Sequence, residues 1–261
     1  MAKRFEDQVV QITGAASGFG ALAAREFARE GAKLLLSDIN GDGVQSVADG
    51  LRSDGYEVIA EQLDVSDDAA MAAHIARAVK EFGGLQVALN NAGIGNGVMA
   101  LPDIPLEDYD RIMNINAKGV FIGMRHQLPV MRAAGYGAIL NTASAAGLVG
   151  SGFLSAYAAS KHAVVGMTKA AADEVARYGV RVNAICPSFA STPMVESMGD
   201  TMGEKYGITR EDAYSKIASR VPMRRVAEPG EVVQAMLWIC ERGNSFMTGQ
   251  AVSIDGGLTA V

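Results

Sequence analysis

Short apolar runs alternate with longer amphipathic stretches along nearly the whole chain. Residues 9–12, 33–37, 58–63, 85–89, 138–141, 181–185 and 251–254 read as strands. Residues 18–30, 71–82, 106–133, 155–178 and 228–241 carry helical periodicity. Gly31 and the Gly83-Gly84 pair mark the ends of the first two helices. Strands alternating with helices predict an α/β fold: a doubly wound parallel sheet with right-handed crossovers, in three α/β/α layers. Ligands of such sheets bind beyond the carboxyl ends of the strands, near the point where strand order reverses. Residues 188–222 are the one long departure from the alternation. They read as an insertion covering that end, a lid within a single domain of residues 1–261.

Composition narrows the class. Hydrophobic residues make up 49% and charged residues 20% of 261 positions, which suits a globular chain with a sizeable core. A net charge of −6 disfavours a polyanion-binding surface, so nucleic acid is not an expected partner. Cys186 and Cys240 are too few for a disulfide framework and read as buried thiols in a reducing cytosol. Neither a leader nor a bilayer-length apolar run stands out, so a cytoplasmic protein without membrane partners is expected.

Candidate chemistry begins where the first strand runs into Thr13-Gly14-Ala15-Ala16-Ser17-Gly18-Phe19-Gly20. Glycines at Gly14, Gly18 and Gly20 permit a tight turn and a close backbone approach to phosphate. The following helix offers its free N–H groups and positive dipole end, with Ser17 and Phe19 at the same turn. A P-loop is excluded because no Gly-Lys-Ser/Thr follows. S-adenosylmethionine enzymes use similar turns, so the turn alone leaves the cofactor open. Asp38 ends the second strand, where a carboxylate accepts hydrogen bonds from ribose hydroxyls and repels a 2′-phosphate. Ile39 stands where a basic residue would be needed for that phosphate. NAD (NADH) is therefore expected in preference to NADP. Asp64 and Val65 follow the third strand and Asn91-Ala92-Gly93 the fourth, placing both near an adenosine.

Tyr157 and Lys161 lie one turn apart on one helical face. A free phenol has a pKa of about 10, and a neighbouring ammonium favours the phenolate. Ser144 follows the fifth strand and Asn116 lies within the preceding long helix.

Taken together, Thr13-Gly14-x-x-x-Gly18-x-Gly20, Asn91-Ala92-Gly93, Asn116, Ser144 and Tyr157-x-x-x-Lys161 resemble the short-chain dehydrogenase/reductase family over residues 9–257. The resemblance implies a Rossmann fold and a catalytic tetrad. Tyr157 would be the general acid/base and Ser144 would orient the substrate oxygen. Lys161 would lower the Tyr157 pKa and hold the nicotinamide ribose. Asn116 would fix a water linking Lys161 to solvent. It further implies that Pro187, Ala190 and Thr192 hold the nicotinamide carboxamide, with Ser188 replacing the family's glycine, and that the chain forms a homotetramer. The side chain at 188 would change the local backbone angle or reach the site.

The small-molecule substrate is less defined. Gly95, Ala146, Phe153, Leu154, Ser188, Met194 and Met198 are candidate contacts. Met194, Met198 and Met202 form a helical stripe that either lines an apolar pocket or packs the lid. No Arg or Lys is evidently placed for a substrate carboxylate, which points to an uncharged, apolar or bulky secondary alcohol or ketone. His74, His126 and His162 lack metal-ligand spacing, and no metal is expected. Two alternatives stand beside this oxidoreductase: a 3-oxoacyl-[acyl-carrier-protein] reductase, against which Asp38 counts, and a non-catalytic redox sensor, which would not need a general acid.

Overall fold

The computed structural model describes residues 3–260. One parallel sheet orders its strands β3-β2-β1-β4-β5-β6-β7. These are β1 (Val9–Thr13), β2 (Lys33–Asp38), β3 (Val58–Gln62), β4 (Val87–Asn90), β5 (Gly137–Thr142), β6 (Val180–Pro187) and β7 (Ala251–Ile254). The chain moves outward from β1 to β3 and returns to place β4 beside β1, so the order reverses between those two. The helices are α1 (Gly18–Arg29), α2 (Gly41–Ser53), α3 (Asp68–Phe82), α4 (Leu106–Ile112), α5 (Gly119–Ala134), α6 (Ser155–Val175), α7 (Pro193–Tyr206), α8 (Arg210–Ser219) and α9 (Pro229–Cys240). Every position of β1 and β6 is buried, as expected for strands covered on both faces. Alternate residues feed opposite layers. Leu34 and Leu36 join Phe27, Val233 and Leu237, whereas Leu35 joins Met71 and Val164.

Three features depart from the sequence reading. Helix α2 was not anticipated, because Gly41, Gly43 and Gly50 lower helix propensity. Its start is fixed by Asn40, whose side chain accepts from the Gly43 N–H at 3.0 Å. Helix α3 begins earlier than residue 71, capped by Asp67 accepting from the Ala70 N–H. The long helix expected over 106–133 is interrupted by a π-helical turn, Met113–Lys118. The insertion 188–222 contains α7 and α8, and the helical stripe of Met194, Met198 and Met202 falls on α7.

A buried polar chain crosses the sheet centre. Asn90 Nδ2 donates to Gln127 Oε1 and Asn141 Oδ1 at 3.0 and 2.9 Å. Gln127 Nε2 donates to Gln11 Oε1 at 2.7 Å, and Asn141 Nδ2 to Thr168 Oγ1 at 2.9 Å. These side chains are solvent-excluded, and each gains a partner that offsets its desolvation. Gly123 makes room for them, since a Cβ there would lie 2.5 Å from Asn90 Oδ1. The chain ties β1, β4 and β5 to α5 and α6 directly below the strand ends that carry the candidate site.

Candidate active site

A cavity of about 880 Å³ runs along the carboxyl ends of the strands. The turn after β1 forms one wall. Gly14 has φ +67°, and a Cβ there would stand 2.8 Å from Ala92 Cα, so only glycine lets the two turns meet. Asn91 fastens them, donating through Nδ2 to the carbonyls of Thr13 and Gly14 at 3.1 and 3.2 Å. Ser17 caps α1 without a side-chain hydrogen bond, and the first turn of α1 carries no acidic residue. Its leading N–H groups are thereby left for an anion at the cavity wall.

Asp38 lies beside this turn, half-buried. Its Oδ2 accepts from the Ala16 N–H at 3.0 Å and its Oδ1 from the Asn40 N–H at 2.9 Å. Ile39, Asp64, Val65, Asn91, Ala92 and Gly93 continue the lining, and Ser17, Gly18 and Phe19 complete it from the first turn. The donors of the glycine turn, the carboxylate at β2 and the elongated shape fit a dinucleotide. Gly20 does not line the cavity. Its role is packing, because a Cβ there would fall 2.0 Å from the Gly14 carbonyl oxygen.

Farther along, Ser144, Tyr157 and Lys161 face the same cavity, as do Pro187, Ala190 and Thr192. Ser144 Oγ lies 3.4 Å from the Pro187 carbonyl and accepts from the Ala146 N–H at 3.2 Å. Lys161 is buried, with its Nζ donating to the Thr142 carbonyl at 2.8 Å and lying 5.5 Å from the Tyr157 ring centre.

Comparison with known proteins decides the family. A family model described as enoyl-(acyl carrier protein) reductase matches residues 14–259. A cis-4-hydroxycyclohexanecarboxylate dehydrogenase from Sinomonas cyclohexanicum is 37% identical over 100% of both chains. A cyclohexanol dehydrogenase from Acinetobacter sp. (strain SE19) is 35% identical over 100% of this chain and 98% of its own length. The solved structure of an NAD+-bound xylitol dehydrogenase superposes with TM-score 0.93 at 30% identity, covering 98% of this chain and 100% of its own. The chain is a short-chain dehydrogenase/reductase. Its Rossmann fold and its membership of an oxidoreductase family acting on alcohols and ketones follow from these matches.

Within this short-chain dehydrogenase/reductase, burial dominates the electrostatics of the candidate catalytic groups. It pushes the Tyr157 phenol above its ordinary value, while a hydrogen bond with Ser144 pulls it back down. Burial also pulls Lys161 down to about 8. In the protein's own field the shift at Tyr157 comes chiefly from burial, opposed by Ser144. Removal from water disfavours the charged form of each group, the phenolate of Tyr157 and the ammonium of Lys161.

Asn116 lies behind the cavity wall, on the π-helical turn. Its Oδ1 accepts from the Ile94 N–H at 2.8 Å. Its Nδ2 donates to the Ile94 carbonyl and to Ser160 Oγ at 2.9 and 3.1 Å. Ser160 in turn donates to the Tyr157 carbonyl at 2.7 Å. The Asn116 side chain thus fastens the loop after Gly93 to the turn of α6 that bears Tyr157 and Lys161. π-helical turns are frequent at functional sites.

Of the substrate candidates, Gly95, Ala146, Leu154, Ser188, Met194 and Met198 line the cavity, but Phe153 does not. Phe153 is exposed, has φ +65° and offers its carbonyl to the Met99 N–H at 3.0 Å, so it belongs to a surface turn. Met202 also lies outside the lining. Ser188 reaches the cavity without adopting a left-handed backbone; its N–H donates to the Ile254 carbonyl at 3.2 Å. Sequence reasoning missed Thr142 and Ser160, which hold Lys161 and Asn116. It also missed Arg220, which lines the cavity. The basic residues Lys216, Arg220, Arg224 and Arg225, recurring at and just beyond the end of the insertion, were the available signal. Among the described residues, no group of three or more His, Cys, Asp or Glu gathers to hold a metal, and no helix is long and apolar enough to cross a membrane.

Proposed function

We propose that this enzyme interconverts a secondary alcohol and its ketone with NAD(H). The observation carrying this reading is that one cavity joins the uncapped start of α1, the Asp38 carboxylate and the Tyr157-Lys161-Ser144 group. When bound, the nicotinamide dinucleotide supplies the hydride acceptor or donor and, oxidised, a positive charge over the site. The chain handles the proton. Tyr157 Oη takes it from the carbinol or returns it to the ketone, Ser144 Oγ holds the substrate oxygen, and Lys161 stabilises the phenolate. Asn116 positions α6 for this chemistry. Pro187, Ala190 and Thr192 would meet the carboxamide.

NAD rather than NADP is supported by charge. The charged residues lining the cavity are Asp38, Asp64, Lys161 and Arg220, so both groups beside the adenosine end are carboxylates. The NAD+-bound xylitol dehydrogenase resembles this chain along its length, which supports the same reading. The body of the substrate would be apolar, meeting Met194, Met198 and Leu154 under α7 and α8 acting as a lid. Homotetramer assembly in the cytoplasm completes the proposal, with exposed Leu106 and Phe121 on α4 and α5 available for subunit contact.

The test is a panel of secondary alcohols, ketones and an acetoacetyl thioester, followed by nicotinamide absorbance with both coenzymes. Turnover of cyclic or bulky alcohols with NAD is expected. Preference for the thioester with NADPH would favour the 3-oxoacyl reductase alternative, and inactivity throughout would favour the sensor. In the same assay, Asp38→Asn is expected to lower the NAD over NADP ratio of kcat/KM by about tenfold, the scale of one charge-assisted hydrogen bond. An unchanged ratio would remove Asp38 from coenzyme selection.

A further inference from the structure

The cavity holds a cation that the proposed chemistry does not use. Arg220, an exposed residue just after α8, lines the cavity together with Ser197, Met198 and Thr201 of α7 and Leu258 of the tail beyond β7. Among the described residues it makes no ion pair. Most other arginines are engaged, as Arg225 is by Glu231 and Arg181 by the carbonyls of Ile239 and Cys240.

The local fold holds Arg220 at that wall. The turn after α8 is fastened to the tail by the Met223 N–H donating to the Gly256 carbonyl at 3.2 Å. Arg224 Nη1 donates to the Ser219 carbonyl at 2.8 Å and closes the same turn. The tail's carboxylate, Asp255, is occupied by the N–H groups of Gly257 and Thr259 and by the Thr259 hydroxyl, so it does not neutralise the guanidinium. Thr201 spends its hydroxyl on the Ser197 carbonyl at 2.9 Å. That leaves Arg220 as the cation at this end of the lining.

Position along the sheet fixes what it can meet. Asp64 and Asp38 stand at the β3 and β2 ends, Ser144 at β5 and the Leu258 tail beyond β7. Two strand spacings, roughly 10 Å, separate the β5 and β7 ends. Between them the lining is mainly apolar, with Phe189, Met194 and Met198. Resting on the alcohol–ketone reading above, we propose that the substrate is an anion: a hydroxy or oxo acid whose carboxylate binds Arg220 and is separated from the carbinol by an apolar ring or chain. A guanidinium fork matches a carboxylate in plane and charge. The uncharged substrate expected from sequence would leave this cation unused.

Two measurements test it separately from the redox reaction. In calorimetry on the protein with NADH, cyclohexanecarboxylate is expected to bind about tenfold more tightly than cyclohexanecarboxamide, the scale of a partly exposed charged hydrogen bond. Arg220→Gln should bring the two together and Arg220→Lys should keep part of the gap. In the coupled assay, the kcat/KM preference for 4-hydroxycyclohexanecarboxylate over its methyl ester should fall to near unity in Arg220→Gln, through KM. Equal binding of acid and amide by the parent protein, or a preference that survives Arg220→Gln, overturns the anion site. A binding gap that depends on Arg220, with no turnover of any alcohol, leaves the anion site standing and overturns the oxidoreductase reading instead.

Discussion

Replacing Tyr157 by phenylalanine is expected to lower kcat by about a thousandfold, within the range for loss of a general acid–base, while NADH binds as before. The substitution removes one hydroxyl from a site where burial and Ser144 act on that group in opposite directions. Ring and packing are kept, so the cavity wall persists. Ser144 still has the Ala146 N–H, and Lys161 still has the Thr142 carbonyl. Single-turnover absorbance reads the chemistry, and NADH fluorescence titration reads the coenzyme. A variant that keeps most of its turnover would take the proton-transfer role away from Tyr157. A variant that loses NADH binding as well would make Tyr157 part of the coenzyme cradle instead.

The sequence displayed the parts whose physics is local. Alternating apolar runs gave all seven strands, and the glycine turn, Asp38, Asn91 and the Tyr157–Lys161 spacing reach one cavity as expected. What it hid depends on distant partners. Asn90, a polar residue, is buried at the end of β4 because Gln127 and Asn141 satisfy it. Helix α2 was obscured by its glycines. The π-helical turn at Asn116 changes hydrogen-bond register without changing hydrophobic periodicity, so no pattern announces it. Phe153 is adjacent in sequence to the cavity-lining Leu154, but its positive φ places it in a surface turn. Arg220 was missed because the path of α8 back to the cavity is a tertiary fact.

The same burial that shapes Tyr157 makes Lys161 a costly residue, and this separates stability from activity. Lys161→Met is expected to raise stability at pH 7 and lower kcat by at least about a hundredfold, the lower range for loss of a proton-transfer partner. Burial pulls the lysine from 10.5 to about 8. Keeping it charged in the folded state therefore costs on the order of 3 kcal/mol. Methionine fills a similar volume without that cost but strands the Thr142 carbonyl, which returns about 1 kcal/mol or more. A net gain of about 1–2 kcal/mol remains. The sign follows from proton counting. Between about 8 and 10.5 the unfolded chain carries a proton on Lys161 that the folded chain has released, so the parent's stability rises with pH through that window. The variant's advantage should be full below about 8 and gone by 10.5. Paired urea titrations of the two proteins at pH 7 and pH 10 read this difference together with the smaller change at Cys186, whose thiol Lys161 pulls down. An advantage that does not shrink with pH would mean that Lys161 is not held at the expense of its charge. A variant less stable at pH 7 would mean that its hydrogen bond to Thr142 outweighs the desolvation. Either result would remove the physical basis for a lysine poised to exchange its proton beside Tyr157.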